Sequence, residues 1–164
     1  MKLKKKKVSI CVPCYNEEEN VPITYIKLKE VMSKNTKYDY EIIFVDNYST
    51  DKTKLLIKKI TKKDKKAKGI FLSRNFGPEA SGQAGLDMAT GDAFVGIGCD
   101  LQDPPEMINK FIEKWEKGFD VVLGVYTKLD GNLLMKYIRK IFYRVLNKIT
   151  FINIPKDSTG FGLF

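Results

Sequence analysis

The 164-residue chain contains no histidine and three cysteines, and few of its many cations are arginine. Each scarcity removes a class of function. Without histidine, neither a Ser-His-Asp triad nor a Cys-His nucleophile is available. Three cysteines are an odd number and do not make a disulfide framework. Cys11-Val12-Pro13-Cys14 matches the CxxC redox spacing, but Glu17 to Glu19 follow closely and would hold a thiolate's pKa up by like-charge repulsion. The phosphate-binding patterns GxGxxG and GxxxxGK[ST] are missing after the first apolar run, which argues against nicotinamide enzymes and P-loop NTPases. No apolar run approaches the length of a membrane-crossing helix, and the amino terminus lacks the apolar core of a signal peptide. The expectation is a cytoplasmic chain, or one peripheral on the inner face of the cell membrane.

What is present is an ordinary globular composition, 43% hydrophobic and 12% aromatic, in a chain long enough for one domain with its own core. The formal charge of +9 is unevenly placed. Residues 1 to 68 carry 18 lysines against 9 acids, whereas residues 69 to 164 carry 11 Lys plus Arg against 11 acids. The basic part includes Lys4 to Lys7 and nine lysines between Lys52 and Lys68, without interleaved aromatic residues. A nucleic-acid surface would more often add Arg and stacking rings, so no nucleic-acid partner is expected. A solvated helix face, attracted to anionic lipid, fits the pattern better.

Apolar runs alternate with helical patterns. Strands are predicted at Val8–Val12, Glu41–Val45, Ile70–Leu72, Ala93–Ile97 and Asp120–Val125. Helices are predicted at Glu17–Met32, Asp51–Lys63, Pro78–Thr90, Glu106–Lys117 and Leu133–Ile149. Ala80, Ser81, Gly82, Ala84 and Gly85 would let the third helix approach the sheet closely. Such alternation predicts an α/β fold, a mostly parallel sheet with helices on both faces. Right-handed crossovers then gather the carboxyl ends of the strands on one rim, where open α/β sheets bind ligands.

Four polar segments fall on that rim. Pro13 to Glu17 brings Tyr15, Asn16 and Glu17, serving either a ligand or, through Asn16, a helix cap. Asp46 follows its strand directly and is able to accept from a ribose or base donor, while Ser49 or Thr50 is placed to cap the Lys-rich helix. Arg74 is the sole arginine before residue 139, suited to fork-shaped recognition of an anion or to an ordinary salt bridge. Gly98 to Asp103 sets carboxylate and amide oxygens, Asp100 and Gln102 among them, where a hard cation such as Mg²⁺ or Mn²⁺ would bind beside a diphosphate. The other reading of this loop is a helix cap, with Asp103 as N-cap and Pro104 at the first helical position.

Four segments, VSICVPCYNEEENV, EIIFVDNYSTDKT, LSRNFGPEASGQAGLDMATGD and DLQDPPE, stand in this order across residues 8 to 106. Together they resemble the family 2 glycosyltransferases, and among them the polyprenyl-phosphate glycosyltransferases similar to dolichol-phosphate mannosyltransferase. The resemblance implies a GT-A nucleotide-diphosphosugar transferase fold, a divalent cation and inverting transfer of one sugar. By the same resemblance, Pro13, Tyr15, Glu17, Val45, Asp46 and Cys99 hold the nucleotide sugar. Asp100 and Gln102 sit at the metal and the diphosphate, with Asp100 and Arg74 as the candidate catalytic residues. Four departures stand out. Gly98 replaces the first Asp of the usual Asp-X-Asp, Asn47 and Tyr48 replace the second Asp and the Gly of Asp-Asp-Gly-Ser, Pro78 replaces a common Lys, and Thr159-Gly160-Phe161-Gly162 stands for a Gly-Asp-Phe-Arg-like segment.

One domain over residues 1–164 is expected, with residues 8–125 binding the nucleotide sugar and 126–164 beginning the acceptor side. The apolar end carries no terminating signal, so the natural chain is expected to continue. Arg139, Lys140 and Arg144 lie among apolar residues of the last helix, a pattern suited to an anionic membrane surface and a lipid-borne acceptor. The function expected is transfer of a sugar from a nucleoside diphosphate sugar, UDP-linked by family frequency, to a polyprenyl phosphate. Alternatives are transfer to a saccharide hydroxyl and a catalytically silent nucleotide-sugar-binding module.

Overall fold

The computed structural model describes residues 5–125, 133–150 and 158–164. Its elements run β1 (Lys7–Cys14), α1 (Asn20–Lys34), β2 (Asp39–Asp46), α2 (Thr53–Lys63), β3 (Ala67–Phe71), α3 (Pro78–Asp87), β4 (Ala93–Gly96), α4 (Met107–Trp115), β5 (Val122–Val125), α5 (Leu133–Ile149) and β6 (Ser158–Leu163). The chain divides into two compact units, one reaching to Val122 and including Phe161–Phe164, the other spanning Leu123–Gly160.

In the first unit the strands lie in the order β3-β2-β1-β4 and are mutually parallel. Alternation along the strands sends side chains to both faces. Val8, Ile10, Val12, Ile42 and Phe44 join Leu28 of α1, Ile57 of α2 and Phe111 of α4 in one buried layer. Cys11, Ile43 and Val45 face the opposite way, against Ala84 of α3 and Phe94. Both faces of β1 and β2 are thus covered, which is why their sequences read as nearly unbroken apolar runs.

The small residues of α3 act as expected at one position in particular. A Cβ on Gly85 would stand 2.1 Å from Cys11 Sγ, so α3 sits closer to β1 than any larger residue permits.

Most boundaries shift from expectation by a few residues, and three of the starts have a local cause. α1 begins at Asn20 rather than Glu17, because Glu17 instead closes a turn with its carbonyl accepting from the Asn20 and Val21 N–H groups. β3 begins at Ala67, where pairing with Ile42 overrides the weak strand preference of Ala67, Lys68 and Gly69. α4 begins at Met107, after a turn in which the Met107 N–H donates to Pro104 O, and its N-cap position, Glu106, makes no side-chain capping bond. The Asp103-capped helix starting at Pro104 is therefore corrected.

The apolar end of the chain, for which no element is expected, forms β6. Its Gly162 and Leu163 pair antiparallel with Gly96 and Val95, making the sheet mixed. Leu163 is wholly buried, and Phe161 packs edge-on against Phe111 with ring centroids 4.8 Å apart. In the second unit β5 and β6 are neighbouring strands.

Candidate functional site

The loops after β1 and β2 are bound to each other more than to the helices they precede. Asn16 takes a left-handed φ of 56°, and its Oδ1 accepts from the Thr50 N–H at 2.8 Å. In return the Asn16 N–H donates to Ser49 Oγ at 2.9 Å, and the Glu17 N–H to Thr53 Oγ1 at 2.7 Å. Glu18 and Asp51 trade contacts in the same way: the Glu18 N–H donates to Asp51, and the Lys52 N–H to Glu18. These bonds correct the capping roles expected of Asn16, Ser49 and Thr50. α2 is instead led by Asp51, whose Oδ1 accepts from the Thr53 N–H at 2.9 Å.

Around this double loop the expected nucleotide residues separate into two groups. Tyr15 is exposed, and Pro13 and Glu17 are half-buried, with Glu17 Oε2 accepting from Asn20 Nδ2 at 2.6 Å. Asp46 is 1% exposed, its Oδ1 accepting from the Ser49 N–H at 3.2 Å and its carbonyl from the Leu72 N–H. Val45 and Cys99 belong to the second group: their side chains point into the two apolar layers.

The loop after β3 is reached by Asn47. Its side chain bonds Asn75 and the Phe76 backbone, and the Arg74 guanidinium lies 4.2 Å from the centre of the Phe76 ring. Arg74 is exposed and, among the described residues, is in no ion pair, so the salt-bridge reading is not what the fold uses.

After β4 the chain turns sharply, with Leu101 at φ 56°. Asp100 folds back so that its Oδ1 accepts from the Gln102 N–H at 3.2 Å. Gly98 makes room for this: a Cβ there would come within 2.9 Å of Asp100 Oδ1. Burial raises the pKa of Asp103, and the nearby Asp100 charge raises it further. The two carboxylates therefore repel, a repulsion that a bound cation would relieve. Among the described residues no three His, Cys, Asp or Glu side chains form a ready-made metal cluster. The oxygen donors this loop offers are the Asp100 and Asp103 carboxylates and the Gln102 side chain, residues that could hold an ion such as Mg²⁺ whose shell diphosphate oxygens and water complete.

Sequence reading overlooked Thr24. It is fully buried on α1, where its hydroxyl donates to the Cys99 carbonyl at 2.6 Å. A signal was available: Val21, Thr24, Leu28 and Val31 make one apolar stripe with a single hydroxyl in it.

The cysteines are free and buried. Cys11 and Cys14 point to opposite faces of β1, which rules out the CxxC disulfide. Burial pushes the Cys11 thiol up to about 12. For Cys14, the Cys99 side chain is the main cause of an upward shift, with burial second.

A groove of about 700 Å³ opens near the amino-terminal ends of the strands, lined by Lys5, Lys7, Tyr40, Lys66 and Asp92 among others. It lies away from the loops described above, and its lysines are engaged: Lys5 with the Thr36 carbonyl, Lys7 with Glu41, Lys66 with Asp39. In the second unit, α5 exposes Tyr137, Ile138, Phe142 and Val145 together with Arg144 and Lys148. The side chains of Arg139 and Lys140 lie outside the described residues. Among the described residues, no helix is long and apolar enough to cross a membrane.

Residues 9–164 match the profile of glycosyl transferase family 2. The chain is 45% identical over 156 residues to the uncharacterized glycosyltransferase YkcC of Bacillus subtilis (strain 168), covering 94% of this chain and 48% of that protein. It is 40% identical over 159 residues to the prophage bactoprenol glucosyl transferase homolog of Escherichia coli (strain K12), covering 96% and 51%. The chain thus spans about half the length of the curated relatives it matches. Among solved structures, S. aureus TarS 1-349 in complex with UDP superposes with a TM-score of 0.54 at 26% identity, over 77% of this chain and 37% of that one.

Proposed function

The chain belongs to glycosyl transferase family 2 and has the GT-A fold, and from that premise we propose that it moves a sugar from a nucleoside diphosphate sugar to a polyprenyl phosphate. One observation carries the reading. Asp46 at the end of β2 and Asp100 beyond β4 occupy the carboxyl edge of one parallel sheet, the place where open α/β sheets take nucleotides. UDP is the favoured nucleotide, a choice supported by the UDP bound in TarS. Relatives named as bactoprenol glucosyl transferases support the lipid phosphate as acceptor.

In this reading Tyr15 offers a face for stacking, and Asp46 accepts from the nucleoside. Asp100 and Gln102, with Asp103 beside them, would hold Mg²⁺ or Mn²⁺, which would neutralise charge on the diphosphate. Arg74 faces the same developing charge from the opposite side of the rim. The acceptor needs no general base. A phosphate monoester with a second pKa near 6 is mostly dianionic at neutral pH and already nucleophilic. A single in-line displacement with inversion at the anomeric carbon follows. The basic and apolar residues of α5, Arg139, Lys140 and Arg144 among them, fit an anionic membrane surface on the cytoplasmic side, from which the acceptor headgroup would be presented.

Calorimetry with UDP, in Mn²⁺ or in chelator, tests the reading. Asp100→Asn is expected to lose the metal-dependent part of the affinity with the fold intact, and Asp46→Ala to weaken binding by about 1–3 kcal/mol even in chelator. Equal affinity with and without metal would remove the cation from the site. Arg139→Ala with Arg144→Ala is expected to reduce salt-sensitive sedimentation with acidic vesicles while leaving UDP affinity unchanged.

A further inference from the structure

Asn47 directly follows β2, with 4% of its surface exposed. Its backbone N–H donates to the Cys14 carbonyl at 2.9 Å, tying it to the end of β1. Its side chain reaches the other way, toward the loop after β3. Nδ2 donates to Asn75 Oδ1 at 2.9 Å, and Oδ1 accepts from the Phe76 N–H at 2.9 Å. Asn75 Oδ1 also accepts from the Gly77 N–H at 2.9 Å, where Gly77 has a φ of 90°. That second bond fixes the Asn75 amide, since turning it over would set its NH₂ against two donors. Both ends of the Asn47 amide are therefore in use. An ionised Asp at this position would have no N–H to make the first bond.

We infer that Asn47 is a positioning residue for Arg74. Its amide holds the Asn75–Gly77 backbone, the Phe76 ring standing on that backbone carries the Arg74 guanidinium, and the amide thereby sets where the rim's cation meets a nucleoside diphosphate. The inference deepens the proposed donor site and rests on it.

Two carboxylate variants test it with matched added charge. Asn75→Asp still accepts from both N–H groups and keeps the clamp, whereas Asn47→Asp loses its donor. Amide hydrogen exchange in the full-length protein is expected to show faster exchange at Gly77 in Asn47→Asp, where Phe76 N–H keeps its acceptor but the Asn75 amide loses its donor, and unchanged exchange in Asn75→Asp. Calorimetry with UDP and with uridine then reads the diphosphate. The preference for UDP is expected to fall roughly tenfold in Asn47→Asp relative to Asn75→Asp, and to recover on acidification as the new carboxyl regains a proton to donate. In an Arg74→Ala background, Asn47→Asp is expected to cost no more than Asn75→Asp. Phe76→Leu keeps the clamp on an exposed position and should lower the UDP preference without altering exchange, so the inference stays testable if Asn47→Asp folds poorly.

Equal effects of the two carboxylate variants in the wild-type background, or a greater loss from Asn47→Asp than from Asn75→Asp in the Arg74→Ala background, would overturn it. A wild-type protein that binds UDP no better than uridine would overturn the donor-site reading, and Arg74 positioning with it. The exchange pattern would still decide whether the clamp exists.

Discussion

The hydroxyl of Thr24, buried in the packed face of α1, donates to the carbonyl of Cys99 at 2.6 Å. This bond fastens the loop that carries Asp100 to the helix lying on the opposite side of the apolar layer. The bond acts beyond the sheet ladder, because the strand has already ended at Gly96. A buried carbonyl left without its donor is costly, so Thr24→Val is expected to destabilise the fold by about 1–3 kcal/mol. Thr24→Ser keeps the donor and loses only a methyl group, with an expected cost below about 1 kcal/mol. Urea unfolding compares the two. Equal losses would mean that packing, rather than the bond, is what Thr24 supplies.

Gly85 of α3 faces Cys11 of β1 with no room for a side chain. Gly85→Ala would drive its methyl group into Cys11 Sγ, an overpacking expected to cost about 1–3 kcal/mol or more. Cys11→Ala removes the sulfur, so the double variant is expected to melt well above Gly85→Ala alone. Losses that simply add in thermal melts would show that the strain lies elsewhere.

Glu41 ties the amino-terminal ends of the strands together. Its carboxylate lies 2.7 Å from Lys68 Nζ and 3.4 Å from Lys7 Nζ, and it accepts from Ser9 Oγ and from the Thr90 N–H, both at 2.7 Å. Burial alone would raise its pKa, but the bonds from Lys68, Ser9 and Thr90 outweigh burial and bring it down from 4.5 to about 2. A carboxyl held lower in the folded state stabilises the protein above its unfolded pKa, and that contribution is lost as pH falls toward the folded value. Glu41→Gln is expected to cost about 1–3 kcal/mol at pH 7, discounted because both lysines are partly exposed. The gap from wild type should then close between pH 4.5 and 2. A gap that stays constant in urea titrations across this range would remove Glu41 as the origin of the acid sensitivity.

Much of the fold was legible because β1 and β2 are buried on both faces. Covered strands must be apolar throughout, and their lengths and positions show in the residue pattern alone. β6 was hidden for the opposite reason. Its short run, broken by Gly160 and Gly162, has weak strand preference, and pairing with Val95 and Gly96 is what makes it a strand. The helix starts went astray for a related cause. Asn16, Ser49 and Thr50 are good capping residues locally, but each found a partner on the neighbouring loop instead.

By itself, then, the order of apolar and polar segments determined the α/β class, the rim on which the polar loops gather and the family resemblance, since these follow from periodicity and short motifs. Which rim residues face outward was decided by tertiary structure. Tyr15, Arg74 and Asp100 are exposed, while Val45 turns into the core because side chains alternate across the sheet, and Cys99, beyond its strand, packs into the apolar layer on the other face. The same holds for Asn47. Its amide is occupied by Asn75 and Phe76, 28 and 29 residues away along the chain, a pairing that exists only once β2 and β3 lie side by side.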